Sequence, residues 1–405
     1  QKLLNFNKLT PIQEKTLENI NVNKNIIGLA NTGTGKTHAY LFSCLKALKQ
    51  SKKVEVVIIV PTNELVMQVY KMINEFNNEF IVKAYHGSIN NKKEEEYLEK
   101  NQPNIVIATP TKLWQFVTEK RLLKIHEAKY VIFDEADMMF DDKFFEFIDP
   151  LMSNFRNSKL LLFSATIKPE MKKFIDKYFG DSIFLDTREE EKLNIKHYLV
   201  HLKQKSRDDA LIELLSHLNP FTLFIFVSNK ENINHVLDLL QENNYSAVSI
   251  SSDLSVRRRK NIIDNIRANK EQYVISSDLF ARGLDFSVSH VINYDLPNNI
   301  EFYMHRAGRT GRMEDYGFVY TLYEDRDHRK LEKLKKLGFN FINLQVSKIG
   351  LNEIIKQRKE DEEFFEKLKT IKKPTKVKPN YKKRNKQKLE KLKKEIRVKK
   401  YVKNR

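Results

Sequence analysis

Short runs of continuously apolar residues recur along this chain, and they constrain its fold more than any other feature. In the first half they are "NIIGLA" (25–30), "VEVVIIV" (54–60), "NIVIATP" (104–110), "YVIF" (130–133) and "KLLLFSAT" (159–166), with stretches of helical length between several of them. A strand with one face in water alternates apolar and polar residues, whereas a run apolar at successive positions is covered on both faces. Strand–helix–strand alternation of such runs implies a parallel sheet with right-handed crossovers. The charged "DTREEEKLNIK" (186–196) has no core period, which places a link there. A second series follows in "TLFIFVS" (222–228), "YSAVSIS" (245–251), "QYVISSD" (272–278), "HVINYDLP" (290–297) and "GFVYTLY" (317–323). The chain is therefore read as α/β, with two tandem parallel-sheet domains over 1–187 and 195–348. A short linker at 188–194 joins them, and a charged helix and basic tail occupy 349–405. The 405 residues suffice for two cores and an extension.

Charge is distributed unevenly. Residues 369–405 hold 18 Lys and Arg against Glu390 and Glu395, which leaves only +3 of the net +19 for the rest of the chain. A segment such as "KKPTKVKPNYKKRNKQK" buries too little apolar surface to fold alone and is expected to be partly disordered, with nucleic acid as its natural partner. Cys44 is the only cysteine, so no internal disulfide is possible, which fits a reducing compartment. No apolar run is long enough to cross a bilayer and no signal-peptide pattern opens the chain, so a cytoplasmic protein with no membrane partner is expected. The chain begins at Gln1 rather than Met, so residues upstream are expected.

Two motifs carry chemistry. "ANTGTGKT" (30–37) follows a strand-like run and precedes the helix-like "THAYLFSCLKALKQ". Gly33 and Gly35 let the backbone of Ala30, Asn31, Thr32 and Thr34 turn its N–H groups toward phosphate oxygens, and the helix N-terminus adds partial positive charge. Lys36 can reach the outer phosphates, and the Thr37 hydroxyl can ligate Mg²⁺. A phosphate loop requires a metal-holding acid at the end of another strand. "YVIFDEADMM" (130–139) supplies Asp134 for the metal and Glu135 to orient or deprotonate an attacking water, with Asp137 beside them. Either motif alone also suits a glycine-rich turn or a solvated acidic helix start; together they point to nucleotide hydrolysis.

At these residues the chain resembles the DEAD-box ATP-dependent RNA helicases, over roughly residues 5–345. The tetrapeptide Asp134-Glu135-Ala136-Asp137 is literally present, and further motifs follow in the family's order. The resemblance implies two RecA-like domains, ATP and Mg²⁺ as cofactors, and RNA of little sequence specificity as partner. "FNKLTPIQ" (6–13) is similar to the Q motif, with Gln13 at the adenine edge and Phe6 near the base. Ser164, Ala165 and Thr166 resemble the motif that couples hydrolysis to strand separation. "ARGLD" (281–285) and "HRAGRTGR" (305–312) are similar to motifs V and VI. They imply Asp285 at the ribose, Arg309 and Arg312 as arginine fingers, and His305 and Arg306 bridging to the DEAD acids or the Ser-Ala-Thr segment. RNA contacts are implied for Pro61, Thr62, Gly87, Thr109, Pro110, Arg259 and Ser277, mainly to the sugar–phosphate backbone. Hydrolysis then requires the two domains to close over ATP.

The RNA-facing motifs depart from the family's pattern. Asn63 stands for the usual Arg, Ser88 for the second glycine, "TPTK" (109–112) for Thr-Pro-Gly-Arg, and "SSDLSVRRR" (251–259) lacks the usual His-Gly and Gln. These changes are expected to weaken intrinsic RNA affinity and to leave the basic tail as a non-specific RNA tether. Within the family the chain looks most like the bacterial cold-shock branch. That implies a monomer working on structured RNA, in ribosome biogenesis or with RNA-decay proteins. An ATP-gated RNA clamp with little unwinding and a DNA translocase are the alternatives. Trp114 and His38 are expected to pack or lie at the surface rather than to act.

Overall fold

The computed structural model describes residues 8–354 except 49–50, 77–78, 88, 90, 141, 191–192, 252–253, 279–287 and 312–315. Phe6, Ser88, residues 281–285 with Asp285, Arg312, and the tail from 355 onward lie outside the described residues.

The first sheet holds seven strands. They are β1 (Asn25–Leu29), β2 (Val56–Ile59), β3 (Val82–Tyr85), β4 (Ile105–Ala108), β5 (Tyr130–Phe133), β6 (Lys159–Ser164) and β7 (Ser182–Asp186), all paired in parallel. Their order across the sheet is β3-β4-β2-β5-β6-β1-β7. The five expected apolar runs form the central strands, and β2, β4 and β5 are almost wholly buried. One face packs around Ile27, Val57, Phe133, Phe174 and Phe179, the other around Ile12, Ile26, Tyr40, Ile58 and Phe163. The order brings the carboxyl ends of β5, β6 and β1 side by side. The DEAD acids, the Ser-Ala-Thr segment and the phosphate loop therefore converge on one edge although about 130 residues separate the first loop from the last of them.

The second sheet is built from β8 (Ile195–His201), β9 (Leu223–Phe226), β10 (Ala247–Ile250), β11 (Tyr273–Ser276), β12 (His290–Asn293), β13 (Gly317–Tyr323), β14 (Phe341–Ser347) and β15 (Gly350–Glu353). Their order is β10-β11-β9-β12-β13-β8-β14-β15. All pair in parallel except the β14–β15 hairpin. This corrects the expected start of a charged helix at 349: the chain turns at Gly350 and returns as an edge strand as far as Glu353. The reason is local: pairing across the short turn gives the backbone groups of 350–353 partners in β14, and the Ser347 hydroxyl donates to the Gly350 carbonyl at 3.2 Å.

Between the sheets, Asp186 ends β7 and Ile195 begins β8. The intervening chain is held near the phosphate loop: Thr187 N–H donates to the Leu29 carbonyl at 2.9 Å, and Asn31 Nδ2 donates to the Arg188 carbonyl at 3.0 Å. No helix among the described residues is long and apolar enough to cross a membrane.

Candidate active site

The loop after β1 takes the shape its glycines permit. Gly33 and Gly35 lie at φ 88° and 85°, the left-handed region that side chains resist. A Cβ on Gly35 would also sit 2.4 Å from Gln13 Nε2, so only glycine fits between the loop and the first helix. Gln13 is buried and closes a capping box: its Oε1 accepts from Thr10 N–H at 3.1 Å, and its Nε2 donates to the Gly35 carbonyl at 3.3 Å. The residue expected at the adenine edge thus also braces the phosphate loop. Lys36, 4% exposed, donates to the carbonyls of Ala30 (3.2 Å) and Asn31 (3.3 Å), and its Nζ lies 3.7 Å from Glu135 Oε1.

Asp134 is buried at the end of β5 and held by three donors. Its Oδ2 accepts from the hydroxyls of Thr37 (3.0 Å) and Tyr40 (2.9 Å), and its Oδ1 accepts from the backbone N–H of Glu135 (2.9 Å). Burial, and after it the charge of Glu135, pushes the Asp134 carboxyl up to about 6, against the pull of Lys36 and the two hydroxyls. Glu135 adopts φ 50°, a strained position for a residue with a side chain, and its Oε2 is buried with no hydrogen-bond partner among the described residues. Two crowded carboxylates, one with an open oxygen, form an oxygen donor set suited to a hard divalent cation and a water.

Asp137 turns toward β6. Its N–H donates to Ser164 Oγ at 3.1 Å, and Thr166 Oγ1 donates to its Oδ2 at 3.0 Å. The same Oδ2 lies 3.3 Å from Nε2 of His305, a fully buried residue of the second domain. Thr32 of the phosphate loop reaches the Met304 carbonyl at 3.4 Å, and Gly308 abuts Thr32 so closely that a Cβ there would fall 1.9 Å from Thr32 Oγ1. Arg309 is buried in the turn behind this contact, its Nε donating to the His305 carbonyl at 3.2 Å. Phosphate loop, DEAD acids and the His305–Arg309 segment therefore form one junction between the domains.

Arg306 departs from expectation and does not bridge to the acids. Its guanidinium points into its own domain, where it pairs with Asp278 and donates to Asn293 Oδ1 (3.1 Å), the Asp295 carbonyl (2.7 Å) and Ser228 Oγ (2.9 Å). Successive residues of helix Glu301–Ala307 are about 100° apart, so His305 and Arg306 cannot both face the first domain.

Of the residues expected at RNA, Pro61, Thr62, Gly87, Thr109, Pro110 and Ser277 lie just past the carboxyl ends of β2, β3, β4 and β11, and Arg259 lies in helix Val256–Arg267, which follows β10. Pro61, Thr62, Thr109, Pro110 and Ser277 are half-buried and Gly87 is exposed. Asn63, in the place of the family's Arg, accepts from the Gly87 N–H at 2.9 Å, so it ties two loops together. Arg259 pairs with Glu64 of the first domain and donates to the Leu254 carbonyl at 3.0 Å, joining the two strips across the domains. Trp114 packs edge-on against Phe147, and His38 lies tilted against Phe42, with ring centroids 5.6 Å apart in each pair. Sequence reasoning missed Tyr40 and Glu64. Tyr40 was legible in principle, lying three residues after Thr37 and four after Lys36 on one helix face.

Residues 10–174 match the family model described as DEAD/DEAH box helicase, and residues 206–314 match that of the helicase conserved C-terminal domain. The chain is similar to the DEAD-box ATP-dependent RNA helicase CshB of Bacillus subtilis (strain 168). The two are 34% identical over 97% of this chain and 93% of the relative. Its similarity to CshB of Staphylococcus aureus (strain NCTC 8325 / PS 47) is 34% identity over 87% and 80%. Among solved structures it matches S. cerevisiae Dbp5 bound to RNA and ADP BeF3, at 24% identity and a TM-score of 0.74 over 84% of this chain and 90% of that one. That last likeness concerns the fold.

Proposed function

The chain belongs to the DEAD-box RNA helicase family, and from that we propose that it hydrolyses ATP to unwind or remodel short stretches of RNA locally. The observation that carries this reading is the junction itself. The phosphate loop and DEAD acids belong to one domain, and Met304, His305 and Gly308 reach them from the other. Hydrolysis and domain closure are then one event, and a strand held across both domains bends as they close.

In this reading the loop amides and Lys36 hold the phosphates, and Gln13 selects adenine. Mg²⁺ would be held by Thr37 and Asp134, where it neutralises charge on the phosphates. The Asp134 carboxyl, pushed up by burial and by the charge of Glu135, fits such a cation, and the Glu135 oxygen with no partner among the described residues stays open to the water. Glu135 takes the proton of the attacking water, and Arg309, with Arg312, stabilises charge developing on the transferred phosphoryl group. Asp137, Ser164 and Thr166 report closure through His305. The RNA strips on both domains hold the sugar–phosphate backbone. The likeness to CshB proteins extends the reading to a cytoplasmic monomer acting on structured RNA in ribosomal particles or decay complexes. RNA crosslinked to the protein in cells identifies which of these it touches.

Displacement of a labelled strand from a short duplex tests the function. Release is expected with ATP and not with a non-hydrolysable analogue. RNA binding gated by ATP without release would instead favour a clamp. A second expectation concerns Tyr40, whose hydroxyl is one of three donors to Asp134. Tyr40→Phe keeps the packing but removes a hydrogen bond to a charged group, about 1.5–3 kcal/mol. The Mg²⁺ concentration that half-saturates nucleotide binding should rise roughly ten- to hundredfold, by the usual conversion of about 1.4 kcal/mol per decade. An unchanged Mg²⁺ requirement would show that Thr37 and the Glu135 N–H hold Asp134 without it.

A further inference from the structure

The two faces of the second sheet carry opposite charge. One face is covered by helices Val256–Arg267, Glu301–Ala307 and His328–Lys336, whose Ile266, Tyr303 and Leu334 pack together against Phe224, Val274 and Val319. The first of these helices holds Arg257, Arg258, Arg259, Lys260 and Arg267 against Asp264 alone; the last holds Arg329, Lys330, Lys333, Lys335 and Lys336 against Glu332 alone. The opposite face is covered by Arg207–Leu215 and Glu231–Glu242, which present Asp208, Asp209, Glu213, Glu231, Asp238 and Glu242 against a single Arg207. The helix dipole favours Arg267, Lys333, Lys335 and Lys336, which lie in last turns, but it does not account for the rest of the face: cations near a helix N-terminus are unfavourable, yet both basic helices carry cations and no acid in their first turns. Self-pairing does not account for it either. Lys335 pairs with Glu332 at 2.9 Å, but Arg329, Lys333 and Lys336 form no ion pair among the described residues. These three are exposed and lie at i, i+4 and i+7, on one side of the helix.

The basic face starts where the RNA strip ends. Arg259, at the domain junction with Glu64, sits in the first turn of Val256–Arg267 beside exposed Arg257, Arg258 and Lys260. Helix Val256–Arg267 packs on β10, while Leu331 of His328–Lys336 packs with Leu199 of β8 and Tyr323 of β13. Four strand spacings separate β10 from β13, about 20 Å along the face. We propose that this face is a second RNA-binding surface, holding the RNA that flanks the segment gripped between the domains. The inference rests on the helicase reading and deepens it. The surface reads phosphate charge rather than bases, so it adds affinity and salt dependence without sequence preference.

The test is the triple variant Arg329→Gln, Lys333→Gln, Lys336→Gln in the full chain; glutamine is a good helix former, and Glu332–Lys335 stays intact. Binding is measured for a short RNA just long enough to stimulate ATP turnover, and for the same RNA extended at one end by a duplex. The variant should bind the short RNA and turn over ATP as the unaltered chain does, and bind the extended RNA about fivefold more weakly. The slope of log affinity against log salt should fall by about 2.7 for three lost phosphate contacts to the duplex. Equal affinity and equal slope for extended RNA overturn the proposal, as does an equal loss for the short RNA, which would place the residues' effect in the cleft. Poly-glutamate that binds this face while extended RNA does not feel the variant assigns the surface to acidic protein and also overturns it. If RNA fails to stimulate ATP turnover by the unaltered chain, the helicase reading falls first and this one with it.

Discussion

Glu135→Gln is expected to lower ATP turnover by a factor of a hundred or more while leaving nucleotide and RNA binding in place. A positioned general base contributes about 10²–10⁴-fold, and an amide of the same shape cannot accept the proton of the attacking water. The geometry favours a clean result. Among the described residues the Glu135 side chain has no hydrogen-bond partner at Oε2, and its Oε1 stands 3.7 Å from Lys36. Removing its charge also relieves the repulsion that helps push Asp134 up, so the phosphate and metal side of the site should be no weaker. Single-turnover hydrolysis of labelled ATP, with fluorescent-nucleotide binding alongside, reads both halves. Near-normal turnover would remove Glu135 from the role of base.

Gly308→Ala should block closure without unfolding either domain, and RNA-stimulated turnover should drop by more than tenfold. The added Cβ would fall 1.9 Å from Thr32 Oγ1 and 2.9 Å from Thr32 Cβ. A rotated hydroxyl relieves the first contact but not the second, because the Cβ of Thr32 is carried by the backbone of the phosphate loop. Separation of the domains is the remaining relief. Gly308 itself lies at φ −67°, which alanine adopts freely, so the turn after helix Glu301–Ala307 keeps its shape. Thermal unfolding should therefore be little changed, while fluorescence transfer between dyes on the two domains should stay low with ATP analogue and RNA. Closure as in the unaltered chain would show that the Thr32–Gly308 contact gives way more easily than its geometry implies. Thr32→Ala in the same chain, which removes only the hydroxyl and methyl, should restore little.

The strands read from sequence are β1, β2, β4, β5 and β6, then β9 to β13, and all of these but the edge strand β10 are largely buried on both faces. Those missed are β3 and β7 at the margins of the first sheet, and β8, β14 and β15 in the second. Their burial is interrupted, with Phe184 of β7 half exposed, so they never present a continuous apolar run. The site divides in the same way. Residues whose chemistry depends on their immediate neighbours, such as Gly33, Gly35, Lys36, Thr37, Asp134 and Glu135, were legible as short motifs. Their positions follow from strand ends that local pattern already marks.

What the amino-acid order determined by itself is the set of local chemistries: a phosphate loop between strand and helix, paired acids at a strand end, arginines around two glycines, and a basic tail. Only the tertiary structure decided which of these face one another. The strand order sets the DEAD acids beside the phosphate loop, and the contact between domains sets His305 against Asp137 and Gly308 against Thr32. Arg306 shows the difference. The family resemblance places it near the acids, but one step of helical rotation turns it from the first domain into a pocket of Asp278, Asn293, Asp295 and Ser228. Local sequence encodes which groups a segment carries, whereas their direction depends on helix phase and on partners far along the chain, which only packing brings into contact.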